Sequence, residues 1–152
     1  MKSFSFSLEG LLRLRTQLKE QALQAWMLAL RELKEVTMER DRIRVLLKSW
    51  QVIQREKQST FVFAGELRRS HEASAALYQQ WLAQETLRQR VEQRVRLTLE
   101  QLTEARRKEE ILENLKKRYR MTWRKEHSKE EQKLSDERAG VMAFFRMTRG
   151  AI

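Results

Sequence analysis

The chain has 152 residues, enough for one ordinary domain, with 41% apolar and 35% charged side chains, four glycines, and neither proline nor cysteine. Lacking cysteine, it has no disulfides, no thiolate chemistry and no cysteine-ligated zinc; lacking proline, it has no strong helix interruption. The formal charge of +11, from 32 basic and 21 acidic residues, calls for an anionic partner without choosing among nucleic acid, a membrane surface and an acidic protein.

The N-terminal stretch imitates a signal peptide only weakly, because Glu9 and Arg13 interrupt it and no small-residue cleavage site follows. No segment approaches the roughly 18–20 uncharged residues needed to cross a bilayer, so a soluble cytoplasmic protein is expected. A first helix is predicted over about 7–58. Ser7 stands as its N-cap, and Phe6 and Leu11 occupy the staple positions around it. Stepping by sevens gives Leu8, Arg15, Ala22, Ala29, Val36, Ile43 and Trp50. The companions Leu11, Leu18 and Ala25 complete the stripe, which drifts to Leu33 and Leu47. So narrow a stripe, with charges on the other faces, specifies helix-on-helix packing rather than a broad globular core.

Register fails from Gln54 to Gly65, and 59–65 reads as a reversal. A reversal there makes an antiparallel hairpin; a single continuous helix pairing with a second copy is the alternative. The second helix is predicted over about 66–138. Its stripe runs through Leu77, Trp81, Gln84, Arg88, Val91, Val95 and Thr98, then Leu102, Ala105, Glu109, Leu112, Lys116, Tyr119 and Trp123. Pairing of about 50 residues would give an arm of about 75 Å. From His127 the chain turns polar and should project beyond the first helix. Residues 139–152 form an apolar tail with no predicted partner. The fold class expected is all-α, a long two-helix antiparallel coiled-coil hairpin in a single domain.

No nucleophile elbow, Walker loop, dinucleotide fingerprint or H-E-x-x-H pair occurs, and no metal or cofactor site is expected. His127 and Glu131 stand at i and i+4, but two ligands on a solvated helix make a poor metal site. A two-stranded rod also lacks a water-excluding pocket, so a non-enzymatic protein is expected. Arginine and lysine concentrate on the second helix but are interleaved with Glu92, Glu100, Glu104, Glu109, Glu110 and Glu113. That pattern favours a solvated face with internal ion pairs, then an acidic protein surface, over nucleic acid. Trp81, flanked by Tyr78 and Leu82, is the best anchor for a partner. Phe61, Val62 and Phe63 at the tip are a second candidate. A peripheral membrane protein using Val141 to Met147 is a further possibility.

Three segments in order carry a family resemblance. They are Phe4-x-Phe6-x-Leu8-x-x-Leu11-Leu12-x-Leu14-Arg15, Tyr78-Gln79-Gln80-Trp81-Leu82, and Glu131-Gln132-Lys133-x-x-Asp136-Glu137. Together they make the chain resemble the flagellar export protein FliJ family; the stalk proteins of virulence type III secretion are the nearest alternative. The resemblance implies an antiparallel coiled coil similar to the shaft of rotary ATPases, acting in the cytoplasm at the inner face of the cell membrane. It implies binding to the FliI export ATPase hexamer, contact with the export gate FlhA, and escort of export chaperones. Membrane association would come only through the export apparatus. It places ATPase-ring contacts at Arg13, Arg15, Gln132, Lys133, Asp136 and Glu137. Gate contacts fall at Tyr78, Trp81, Leu82 and Glu85, although Glu85, Arg88 and Glu92 are more charged than the family surface.

Overall fold

A computed structural model of the chain describes residues 3–58 and 63–151. It contains two α-helices, α1 (Glu9–Gln58, 50 residues) and α2 (Ala64–Gly150, 87 residues), and no strand among the described residues. The helices pack against each other as an all-α two-helix hairpin. The backbone separates into two compact units, one of Met1–Thr16 with Arg106–Ile152, the other Gln17–Ala105.

Within the second unit, α1 and α2 run antiparallel. Glu32 is paired with Arg94 at 2.7 Å and Arg40 with Glu85 at 3.0 Å; the Trp50 indole N–H donates to the Ser70 carbonyl at 3.2 Å. As the number rises on α1 it falls on α2. The core here is one residue deep: Ala29, Ile43, Val91 and Leu102 are buried, and each stands at a heptad position. Burying such side chains contributes about 1.5–3 kcal/mol for each large aliphatic one, so the few that are fully covered carry much of the pairing.

In the first unit the same antiparallel sense holds. Glu9 meets Lys116 at 2.7 Å. Residues 3–8 precede α1 as a non-helical arm laid on α2, with the Phe6 ring 5.9 Å from Tyr119 and the Phe4 ring 6.0 Å from Trp123. Phe6, Leu12, Leu112 and the polar Glu109 are buried there.

The seam on α2 follows the predicted series. Every member from Leu77 to Trp123 is buried or half-buried except Tyr119, whose outer edge is exposed. On α1 the sevenfold set Leu8 to Trp50 is likewise covered, but its companions differ from expectation. Leu11 is 39% exposed whereas Leu12 is 8% exposed, and Leu18 and Ala25 also face outward. The true companions are Leu12, Lys19, Trp26, Leu33, Arg40, Leu47 and Gln54, an undrifted heptad. A seam this narrow accepts Lys19 and Arg40 because long cationic side chains cover apolar surface with their methylene stems.

The helix ends also differ from the sequence reading. The Leu8 carbonyl accepts the Leu12 amide at 2.9 Å, which makes Leu8 the N-cap; the Phe6 carbonyl, taking the Glu9 amide at 3.1 Å, closes the turn containing Ser7. Drawing Phe6 onto Tyr119 moves the helix start past Ser7. At the reversal, Phe63 accepts the Glu66 and Leu67 amides, so Gly65 lies inside α2 with ordinary helical backbone. The rest of the expected turn, Ser59–Val62 with Phe61 and Val62, lies outside the described residues. The expected tail is helical: α2 passes through Gly140 and ends at Gly150. One glycine costs a helix only about 1 kcal/mol and does not break it.

Candidate functional site

Two surfaces hold the residues singled out by sequence. In the second unit, Tyr78 and Trp81 stack on successive turns of α2, ring centroids 6.0 Å apart and planes 28° from parallel. Tyr78 is 49% and Leu82 43% exposed, while Trp81, a seam residue, is half-buried. One edge of the indole therefore packs against the hairpin and the remainder joins Tyr78 and Leu82 in an outward apolar patch. The Trp81 Nε1–H is buried without a hydrogen-bond partner among the described residues, as is that of Trp26. An unmade hydrogen bond at such a site costs about 1–3 kcal/mol, so packing rather than polarity holds Trp81 in place.

Glu85, one turn further, has a different situation from its neighbours. Its carboxylate receives Arg88 Nη2 at 2.8 Å and Arg40 Nη1 at 3.0 Å, the second reaching across from α1. Arg88 also donates to Glu92 at 3.1 Å, and Arg96 lies 3.6 Å from Glu92. Glu85 is thus held inside a chain of alternating charges that ties the two helices together. Hydrogen bonds from Arg88 and then Arg40 bring its pKa down from 4.5 to about 2. A carboxylate with a lowered folded-state pKa stabilises the fold above its unfolded value and loses that contribution as pH falls through the folded value. The stability gap between the natural chain and Glu85→Gln should therefore be level well above pH 5, narrow progressively as pH falls below about 5, and vanish only below about pH 2. Urea titrations across that range measure it; a gap that persists at the acid end would assign the effect to packing.

In the first unit, Arg13 is exposed on α1 and Arg15 is half-buried in the seam. Gln132, Lys133, Asp136 and Glu137 are exposed on α2 and share one helix face, being spaced by one, three and four. The structure does not bring these two groups together. Since Glu9 meets Lys116, Arg13 stands opposite α2 about one turn before Lys116, and Gln132 begins roughly 30 Å further along.

Past Trp123 the paired seam closes on an aromatic clasp. The His127 ring stands edge-on to Trp123 at 4.9 Å, and its Nδ1 lies 3.6 Å from Glu131. No group of three or more metal-ligating side chains occurs among the described residues, and no described helix is long and apolar enough to cross a membrane.

Sequence reasoning missed two features of these surfaces. The Phe4–Trp123 and Phe6–Tyr119 contacts could have been found by asking what covers the last two aromatics of the α2 series. An outward face on α1 carrying Val45, Leu46, Val52 and Ile53 is also exposed. Its signal is the i, i+1, i+7, i+8 spacing, offset from the seam.

A chain of two α-helices of 50 and 87 residues, with an aromatic patch in one unit and an exposed polar face in the other, is matched over residues 4–149 by the family model for the flagellar FliJ protein. The chain belongs to the FliJ family. Neither the curated proteins nor the solved structures contain a match to it. Membership makes this a flagellar export-associated protein from a family of non-catalytic export components. The match spans both helices.

Proposed function

We propose that this FliJ-family chain is the coiled-coil stalk of the flagellar export ATPase, working in the cytoplasm and held at the inner face of the membrane by the export apparatus. Its exposed face at Gln132, Lys133, Asp136 and Glu137, with Arg13 and Arg15 on α1, engages the hexameric FliI ring and promotes its ATP hydrolysis. The Tyr78–Trp81–Leu82 patch meets the export gate FlhA, and the stalk escorts export chaperones. It performs no catalysis of its own.

The observation that carries this reading is the length of uninterrupted helix in a chain matched by its family over residues 4–149: 50 and 87 residues, with α2 continuing past Trp123, on which Phe4 packs. A shaft working in a ring needs stiffness and a surface that is charged rather than adhesive, so that contacts can change as the ring cycles. Residues 128–137 are exposed throughout and rich in both charge signs. Glu85 borders the gate patch with its carboxylate already held by two arginines, so in this reading it fixes the patch rather than contacting the gate.

The test is co-purification with the flagellar export ATPase, with and without nucleotide, and assay of ATP hydrolysis. The natural chain should bind and stimulate. Arg13→Glu with Lys133→Glu, both exposed in the fold, should weaken binding roughly tenfold, about 1.4 kcal/mol, and lower stimulation at a fixed stalk concentration. Full stimulation by a folded double variant would place the ring contact elsewhere. Arg15 is a poorer probe, because half-burial in the seam couples its replacement to stability.

A further inference from the structure

The last three turns of α2 are chemically unlike the rest of the helix. Val141, Phe144, Phe145 and Met147 are 55–78% exposed, and the two phenyl rings stand edge to face at 6.3 Å. At 100° per residue, Val141, Phe144, Phe145 and Thr148 occupy one side of the helix, with Met147 at its border. Arg138 and Arg149 flank that side and Arg146 lies further round. No acidic residue follows Glu137 in the chain. The segment therefore combines an aromatic face with an uncompensated arginine flank, whereas the preceding turns mix both signs.

We infer that this terminal segment of α2 is a docking surface for an anionic lipid bilayer, lying in the headgroup plane. Two requirements single out that occupant. The apolar side needs a medium that accepts two adjacent phenyl rings without a shaped groove, and the flank needs negative charge in a layer parallel to the helix axis. An anionic bilayer provides both, with the rings at the acyl boundary and the guanidinium groups reaching back to phosphate. Nucleic acid satisfies the arginines alone and leaves the phenyl rings in water. From Ala139 to Gly150 the helix is about 18 Å long, too short for a hydrocarbon core of about 30 Å, so it lies along the surface rather than across it.

This inference goes beyond the ATPase reading and uses different residues, so each can fail alone. The full-length chain is floated with vesicles of phosphatidylcholine alone or mixed with phosphatidylglycerol. Binding is expected to the mixed vesicles and not to the neutral ones, and to weaken as salt is raised. Phe144→Glu with Phe145→Glu should lower binding by more than tenfold with helical content unchanged, since both side chains are exposed. Arg146→Ala with Arg149→Ala should lower it by about fivefold per arginine. Equal binding to neutral vesicles, or undiminished binding by the phenylalanine variant, overturns the inference; in the second case the general positive charge of the chain is responsible. Stimulation of the export ATPase by the phenylalanine variant reads the other hypothesis separately.

Discussion

Replacing Val91 by aspartate should abolish cooperative folding of the unit formed by Gln17–Ala105. Val91 is 1% exposed, the most completely covered side chain described, and it stands in the centre of a core one residue deep. A carboxylate there must either remain charged without solvent or take up a proton, and either course costs several kcal/mol. Substitutions of that kind cost about 4–5 kcal/mol, a large share of the roughly 5–15 kcal/mol that holds a domain together. Circular dichroism during urea titration should show the transition lost or moved far towards water. Two companions fix the interpretation in the other unit. Leu12→Ala, at a buried seam position, should cost about 2–4 kcal/mol, and Leu11→Ala, next to it but outward, less than about 1 kcal/mol. Equal losses at both would mean that the α1 stripe widens to include Leu11.

The second large effect is expected at the aromatic patch. With the patch as the proposed gate contact, Trp81→Ala is expected to lower affinity for the gate by about 30-fold or more, the scale of a central tryptophan anchor worth at least 2 kcal/mol. It should also destabilise the hairpin, because half of the ring packs in the seam. Leu82→Arg and Tyr78→Ala separate the two consequences, since both side chains face outward and leave the seam intact. Together they should lose gate binding in a pull-down while the melting temperature stays within a few degrees. Retained binding by this folded double variant would move the gate contact off the patch, towards the outward face of α1 that carries Val45 and Leu46.

The series Leu77 to Trp123 was legible because steps of three and four continue unbroken there, and polar members such as Gln84, Arg88 and Lys116 keep the phase. On α1 the same logic faltered wherever two candidates were adjacent. Composition favours Leu11 over Leu12 no more than the reverse, and it favours Leu18 over Lys19; only the facing helix decides between neighbours 100° apart. The tail stands apart by a change of composition after Arg138, yet a change of side-chain chemistry is not a helix breaker, and α2 runs on to Gly150. Trp81 could be singled out by its neighbours, but the pairing of Glu85 with Arg40 could not. That contact joins residues 45 apart in the chain and depends on a register that α1 alone does not reveal. Assignments of ring and gate contacts depend on surfaces that belong to other proteins, and no arrangement within one chain encodes them.

The unequal lengths of the helices have a thermodynamic consequence. After His127, α2 has no packing partner among the described residues, so its last turns rest on helix propagation alone. A partner that gripped that arm would have to suppress its fraying, and the work of doing so would be subtracted from the observed affinity. Residues that touch no partner then acquire control over binding through helix propensity alone. Gly140, which contacts nothing within 4 Å of where a side chain would begin, is the clearest such position. Affinity at this end can thus be tuned by evolution from inside the backbone, leaving every contact surface untouched.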